Sequence, residues 1–180
     1  LAIAHTLINN PAFLIIDEPT TGLDPSERVA FRNMLFDLGH SCVVLLSTHI
    51  VKDVEFTCHR MMLLYGGVDC FQGQPADFVS RVQGRVYTVE RPLEAFKDFA
   101  ATHTVVAIQQ QDDRVHIRHI AAETENIEPD ATPVEINLED AYIDFIREQK
   151  AAETVESENG SQARNVPLNL IELEEDESLV

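Results

Sequence analysis

The sequence of 180 residues has no apolar run that reaches the roughly 18–20 residues needed to cross a membrane. It also lacks a basic leader followed by an apolar segment, which is the pattern of a secretory signal. The cysteines Cys42, Cys58 and Cys70 are three in number and show no paired spacing. This argues against a disulfide framework or a metal site and favours a reducing compartment.

The sequence also has no cluster of lysine and arginine, and this excludes the electrostatic footprint of a nucleic-acid-binding protein. Acidic residues number 31 and basic residues 13, for a formal net charge of −18. The excess is uneven, because residues 1–120 hold 14 acidic and 10 basic side chains, whereas residues 121–180 hold 17 and 3. We therefore expect residues 151–180 to form a disordered acidic tail.

The first position is not a methionine. Leu1, Ile3, Ala4, Leu7 and Ile8 already follow a helical period at the first residue. The pattern predicts a helix entered partway, and with it a fragment of a longer protein. A processed mature terminus is the alternative.

The first half of the chain alternates strand and helix patterns. Phe13–Asp17 is a continuous apolar run ending in charge, which is typical of a buried parallel strand, and Cys42–Ser47 is a second such run. Between them, Ser26–Leu38 carries apolar residues at helical spacing. The pattern predicts a βαβ unit. A helix at Ile50–Phe56 and a hairpin of Met61–Tyr65 and Val68–Phe71 are expected next.

Composition changes after residue 73, and a smaller α/β extension is predicted over residues 74–150. Asn137 suits the N-cap of its last helix, with Asp140 three residues further on. The expected strands and helices are Arg85–Glu90, Leu93–Ala100, Val105–Gln109, Val115–His119 and Leu138–Lys150.

Three histidines that follow the predicted βαβ unit are interpreted as structural. His116 and His119 lie three apart on a predicted strand, so they should point to opposite faces and cannot readily share a metal. His59, beside Cys58, is interpreted as local structure as well.

Two carboxylates follow the first predicted strand. Asp17 and Glu18 would emerge at its carboxyl end, which is where open α/β sheets bind ligands. One carboxylate there can hold Mg²⁺, and an adjacent one can orient or deprotonate a water molecule. His49 follows the second strand and should lie beside them. A strand that simply ends in charge is the alternative reading of the carboxylates alone.

These residues stand in an order and at a spacing that resemble a known family. Asp17-Glu18-Pro19-Thr20 is similar to the Walker B motif and its extension in ABC-type ATPases. Thr21-Gly22-Leu23-Asp24 resembles their D-loop, and Ser47-Thr48-His49 resembles their switch histidine. Residues 1–73 are thereby identified as the C-terminal part of an ABC-type nucleotide-binding domain. The resemblance implies a partial P-loop NTPase (RecA-like) fold with a parallel sheet and helices.

The resemblance implies a role for each matched residue. Asp17 would hold Mg²⁺ through water, and Glu18 would be the catalytic base acting on the attacking water. His49 would contact the γ-phosphate of ATP, and Asp24 would lie at the interface of a homodimer or heterodimer of ATPase subunits. The implied chemistry is phosphoryl transfer from ATP to water, with Mg²⁺ as cofactor.

Two further segments favour a transporter subunit within this family. Gly22-Leu23 followed by Pro25 is typical of transport ATPases, and Leu138–Tyr142 resembles the short Leu-Glu-Asp helix of many bacterial exporter ATPases. The implied protein is cytoplasmic, peripheral on the inner face of the cell membrane, and partnered by permease subunits. A truncated, non-catalytic interaction protein and a soluble, non-transport ABC ATPase are the alternatives.

The sequence contains no phosphate-binding loop of the form Gly-x₄-Gly-Lys-Ser/Thr, since none of Lys52, Lys97 and Lys150 follows a glycine. The glutamine loop and the glycine-rich signature are missing too, and the resemblance puts all three elements before Leu1. We expect that the chain alone neither binds ATP tightly nor hydrolyses it. The strand of the phosphate-binding loop would lie beside residues 43–47, so we also expect an open apolar edge that favours aggregation.

Overall fold

A computed structural model of the chain describes residue 7 and residues 10–122 and 127–158. The rest of the helix predicted at the start, and residues 159–180 of the predicted tail, lie outside the described residues. The chain divides into two units, residues 1–147 and residues 148–180, and the described part of the second unit is helical. No helix in the described ranges is long and apolar enough to span a membrane.

The first elements are strand β1 (Phe13–Asp17), helix α1 (Pro25–Leu38) and strand β2 (Val43–Ser47). β1 and β2 pair in parallel, from Phe13 opposite Val43 to Asp17 opposite Ser47. The predicted βαβ order is therefore confirmed. Leu14 and Ile16 of β1 are buried and pack with Leu35 of α1, which covers one face of this two-stranded sheet.

The opposite face of the same sheet is exposed. Phe13, Ile15, Val43 and Leu45 are each 53–67% exposed, and the strand register sets Phe13 beside Val43 and Ile15 beside Leu45. The prediction that both strands are buried was therefore wrong for this face. The physical reason is that a parallel sheet needs a layer on each side, and the described residues bury only the side under α1.

Replacing Ile15 and Leu45 by threonine is expected to reduce self-association of the chain, measured by light scattering against concentration. Threonine keeps the β-propensity of the strands, so the free energy of unfolding should stay within about 0.5 kcal/mol of the original. Leu14→Ala is the control on the buried face and should cost about 2–5 kcal/mol. Equal association of the double variant and the original chain would show that this face does not drive it.

The remaining strands form antiparallel sheets. β3 and β4 make a hairpin, and β5 to β8 make a four-stranded antiparallel sheet in the order β6-β7-β5-β8. Within the described ranges, parallel pairing is thus limited to β1 and β2, and the wider P-loop-type sheet stays a prediction. The strands are β3 (Met61–Tyr65), β4 (Val68–Gly73), β5 (Val86–Pro92), β6 (Thr104–Gln111), β7 (Arg114–Ile120) and β8 (Thr132–Pro133).

Four further helices complete the first unit or begin in it. They are α2 (Val51–Thr57), α3 (Pro75–Val79), α4 (Phe96–Thr102) and α5 (Leu138–Glu158), and short 3₁₀ turns stand at Ser80–Val82 and Leu93–Ala95. Helix α3 has no counterpart among the predicted elements. Helix α5 continues eight residues past its predicted end at Lys150, through the start of the predicted tail.

The largest hydrophobic core joins residues from both sides of the predicted boundary at residue 73. Its buried members are Phe78, Val82, Val86, Ile120, Leu138, Ala141 and Phe145, and Val54 and Leu63 from the first part pack against them. Residues 51–73 and the extension therefore share one core. The division at residue 73 stays a prediction.

The start of α5 is fixed by a reciprocal cap and a buried ion pair. The Asp140 N–H donates to Asn137 Oδ1 (3.0 Å), and the Asn137 N–H donates to Asp140 Oδ2 (2.9 Å), as the sequence predicted. Arg118 of β7 donates to both Asp140 oxygens, from Nε at 2.8 Å and from Nη2 at 2.6 Å. Hydrogen bonding to Asp140 raises the pKa of the Arg118 guanidinium.

The Leu-Glu-Asp segment thus has a local explanation. Leu138 enters the core, and its N–H donates to Glu55 Oε1 of α2 at 3.0 Å. Asp140 is fully buried and neutralises Arg118. The segment ties the extension to the helix that follows His49.

Candidate functional site

The ends of the two parallel strands bring the predicted site residues together. Because Asp17 lies opposite Ser47, the hydroxyl of Ser47 can donate a short hydrogen bond to the Asp17 carboxylate. The Glu18 N–H donates to the Ser47 carbonyl at 2.9 Å and continues the pairing by one residue. Asp17, Glu18 and the residues after Ser47 therefore lie at one edge of the sheet.

Glu18 turns away from the strand and faces His49. Its φ of +45° lies in the left-handed region, which few residues other than glycine adopt. Its carboxylate accepts the His49 Nδ1 at 2.7 Å, the His49 N–H at 3.0 Å and the Thr21 hydroxyl at 3.2 Å. The structure thus brings Glu18 and His49 into direct contact, 31 residues apart in sequence.

These donors lower the pKa of the Glu18 carboxyl, with the hydrogen bond from the His49 ring as the largest cause. The His49 side chain is 72% exposed and that of Glu18 36%, so the pair is open to solvent. Glu18 is consequently held ionised in an exposed position. An ionised carboxylate is the form that can orient water or accept a proton.

The His49→Phe substitution is expected to raise the pKa of Glu18 toward its ordinary value near 4.5. The reason is that the largest stabilising donor to the ionised carboxylate is removed, and phenylalanine has no side-chain donor to replace it. Carbon-detected NMR titration of the Glu18 carboxyl measures this pKa directly. His40→Phe is the control, because the His40 ring bonds the Phe36 carbonyl and not Glu18. An unchanged Glu18 pKa in the first variant would contradict the pairing.

The turn after Glu18 is compact and ends in a helix cap. The Thr21 N–H donates to the Glu18 carbonyl (3.3 Å) and the Leu23 N–H to that of Thr20 (3.2 Å). Gly22 stands between them with a φ of +82°, which a side chain would strain. The turn therefore requires glycine at this position of the predicted D-loop.

Asp24 is the N-cap of α1. Its Oδ1 accepts the Glu27 N–H and the Ser26 hydroxyl, both at 2.8 Å, and Glu27 Oε2 accepts the Asp24 N–H at 3.2 Å. The Glu27 N–H is the first cause of the lowered pKa of the Asp24 carboxyl. This capping box was not foreseen, although the spacing of Asp24 and Glu27 is its sequence signature. The role of Asp24 at a dimer interface stays a prediction.

The donor chemistry at the strand ends fits Mg²⁺. The ion takes one or two carboxylates and fills its remaining positions with water and phosphate oxygens. Asp17 is exposed, and the Ser47 hydroxyl contacts only one of its oxygens. The described part of the chain, however, contains no group of three or more histidine, cysteine or acidic side chains that could by themselves coordinate a metal ion. The site is therefore suited to a metal that arrives with phosphates.

Sequence reasoning did not find two further contacts of α2. Asp53 accepts a hydrogen bond from Thr20, and Glu55 accepts the Leu138 N–H described above. Their sequence signal is an acidic residue four and six positions after His49, each beside the apolar residue Val54. The partners could not be named because they are distant in sequence.

His119 is buried in the antiparallel sheet and His116 is half-buried on the other side of β7, as their alternation predicted. Both ring nitrogens of His119 are without hydrogen-bond partners in the described structure. Its ring packs near Phe99 and His103, with centroids at 5.1 and 5.3 Å. Burial, followed by the charge of His103, lowers the pKa of His119.

Acid is expected to destabilise the fold through His119. In the unfolded chain this residue takes a proton below about pH 6.5, whereas the folded form takes it only at lower pH. The stability that the neutral His119 contributes to the fold is therefore complete above about pH 6.5 and is lost as the pH falls through the folded-state pKa. Urea unfolding at several pH values measures the free energy of unfolding against pH. His119→Phe should make this free energy depend less on pH, and His116→Gln should not. Equal pH dependence in the original chain and in both variants would contradict the role of His119.

Comparison with known proteins places these residues in a family context. No family model matches the chain. The Nod factor export ATP-binding protein I of Rhizobium etli is 36% identical over 85 residues, which are 47% of this chain and 27% of that protein. The uncharacterized ABC transporter ATP-binding protein YxlF of Bacillus subtilis is 33% identical over 98 residues, covering 53% of this chain and 33% of its own length.

A third relative is the Nod factor export ATP-binding protein I of Rhizobium sp. strain N33. It is 30% identical over an alignment of 130 positions, which covers 61% of this chain and 43% of the relative. Over its matched part, the chain is thus a homologue of the ATP-binding proteins of ABC transporters. The chain spans 27–43% of the length of these relatives.

Proposed function

We propose that residues 1–73 form the part of an ABC transporter ATPase that activates water and holds magnesium. The observation that carries the proposal is the contact of Glu18 with His49 beside Asp17, at the paired ends of two parallel strands. The homology to ABC transporter ATP-binding proteins supports it. The P-loop NTPase fold, with its wider parallel sheet, belongs to the same proposal.

Each residue acts through the atoms that it presents. Asp17 would hold Mg²⁺ through water, and the bound ion would neutralise charge on the phosphates. Glu18 accepts a hydrogen bond from the attacking water of ATP hydrolysis through its ionised carboxylate. Because three donors from His49 and Thr21 lower its pKa, Glu18 orients and polarises the water more than it takes up the proton. Positioning of this kind is the main source of catalysis in phosphoryl transfer.

His49 has two roles in this proposal. In the present structure its ring donates to Glu18 at 2.7 Å. When ATP is bound, the largely exposed ring would turn to the γ-phosphate, while the backbone N–H of His49 continues to donate to Glu18 Oε1. His49 would thereby connect the phosphate with the carboxylate that orients the water.

The phosphates must be held by groups outside this sequence. Asp17 and Glu18 present two negative charges to a negative nucleotide, and the sequence has no phosphate-binding loop. We therefore propose that activity requires such a loop and a second ATPase subunit. Asp24 would lie at the interface between the two ATPase subunits. The permease partner, a location on the inner face of the cell membrane and an export role belong to this proposal.

A hybrid protein tests the function. In this hybrid, the residues of the Bacillus subtilis relative that match the present chain are replaced by the present residues. The hybrid should hydrolyse ATP with Mg²⁺, measured by phosphate release, whereas the chain alone should not. A folded hybrid without activity would favour the non-catalytic interaction protein. Activity that does not respond to a co-expressed permease would favour the soluble ATPase.

A further inference from the structure

One hydrogen bond beneath the site is buried while the site itself is exposed. The Thr20 hydroxyl donates to Asp53 Oδ2 at 2.5 Å, and the two residues are 33 positions apart. Both side chains are 1% exposed. Thr20 lies in the turn between β1 and α1, and Asp53 lies in the first turn of α2.

The positions of these two residues relate them directly to the site. Thr20 follows Glu18 by two residues, and Asp53 follows His49 by four. The same two segments are therefore joined twice, once by the exposed contact of Glu18 with His49 and once by the buried bond. An exposed ion pair does not by itself hold two side chains in one geometry. A buried hydroxyl-to-carboxylate bond does so better, because it is charge-assisted and shielded from water.

The Asp53 carboxylate is bonded through only one of its oxygens in the described structure. Its other oxygen, Oδ1, is buried and has no partner there. A buried oxygen without a donor lowers the stability of the fold. The one side-chain hydrogen bond described for Asp53 is therefore the bond with Thr20, which joins the two segments that carry Glu18 and His49.

We propose that Thr20 and Asp53 are positioning residues that hold Glu18 and His49 at their working separation. The bond fixes the turn after Glu18 against the helix after His49, and so sets where the carboxylate meets the ring. The link to catalysis rests on the proposed function, whereas the positional claim concerns only this chain. In the hybrid protein, loss of the bond should lower kcat by about 10- to 100-fold. KM should stay nearly unchanged, because neither residue belongs to the exposed site.

The experiment compares Thr20→Val with Thr20→Ser in the complete chain of 180 residues. Valine keeps the shape and removes the donor, while serine keeps the donor. The readout is the NMR resonance of the His49 backbone amide proton, because this N–H donates to Glu18 Oε1 at 3.0 Å. The valine variant should shift this resonance upfield as the hydrogen bond lengthens, and the serine variant should leave it as in the original chain. Thr57→Val is the matched control, because the Thr57 hydroxyl is buried on the helix that carries Asp53 and has no hydrogen-bond partner among the described residues.

A lower free energy of unfolding in Thr20→Val with an unchanged His49 amide resonance would overturn the proposal, because the bond would then be structural only. If the valine variant does not fold, Asp53→Asn is measured instead. It keeps an acceptor but removes the charge, so a smaller upfield shift of the His49 amide proton supports the proposal and no shift overturns it. The measurement needs no nucleotide, so an inactive hybrid would refute the proposed function without deciding the positional claim.

Discussion

Replacing Glu18 by glutamine in the hybrid protein is expected to lower kcat for ATP hydrolysis by about 100- to 10,000-fold. Glutamine keeps the shape and accepts a hydrogen bond, but it lacks the negative charge and the second acceptor oxygen with which Glu18 orients and polarises the attacking water. Binding of ATP should persist, since the carboxylate adds negative charge near a negative ligand. Phosphate release under saturating Mg-ATP and a separate nucleotide titration measure the two effects.

Glu27→Gln is the control for this substitution. Glu27 belongs to the capping box of α1, and its side chain contacts the Asp24 N–H rather than the site. Glutamine also serves at this position of a capping box, so the free energy of unfolding and kcat should both change little. A Glu18→Gln hybrid with nearly full activity would remove Glu18 from the catalytic machinery.

Replacing Asp140 by asparagine is expected to lower the free energy of unfolding by about 3–5 kcal/mol. The substitution leaves the Arg118 guanidinium partly buried without its counter-charge, and it removes a carboxylate that also accepts the Asn137 N–H. Urea unfolding measures the loss. Glu135→Gln removes one negative charge from an exposed side chain nearby and is the matched control.

The double variant Arg118→Met with Asp140→Leu separates charge from packing. Replacing both partners of a buried ion pair by apolar residues is often neutral or stabilising. The free energy of unfolding of this double variant should therefore lie above that of Asp140→Asn, although the hydrogen bonds between Asp140 and Asn137 are gone. An Asp140→Asn variant within about 1 kcal/mol of the original chain would show that Arg118 finds water or another partner.

Local patterns predicted most of the elements of the chain. Phe13–Asp17 and α1 could be located because an apolar run and a helical period are recorded in neighbouring residues. The cap of Asp140 on Asn137 was predictable for the same reason. The exposed face of β1 and β2 was not, because the pattern of a strand buried on both faces does not say which segment covers it.

The site was predictable in part. The position of His49 near the two carboxylates followed from the expectation that their strands are neighbours, and the parallel register confirms that the strands are paired. The direct contact of Glu18 with His49 was not predicted. The bond from Thr20 to Asp53 and the salt bridge from Arg118 to Asp140 could not be foreseen. Both join residues more than 20 positions apart, and no local period indicates such a pairing.

The central claim is that Asp17, Glu18 and His49 serve a nucleotide whose phosphates are held by a loop outside this sequence. Calorimetric titration of Mg-ATP into the chain alone and into the hybrid protein tests it most directly. The account predicts micromolar binding by the hybrid and none at that level by the chain alone. Micromolar binding by the chain alone, or its absence in a folded hybrid, would contradict it.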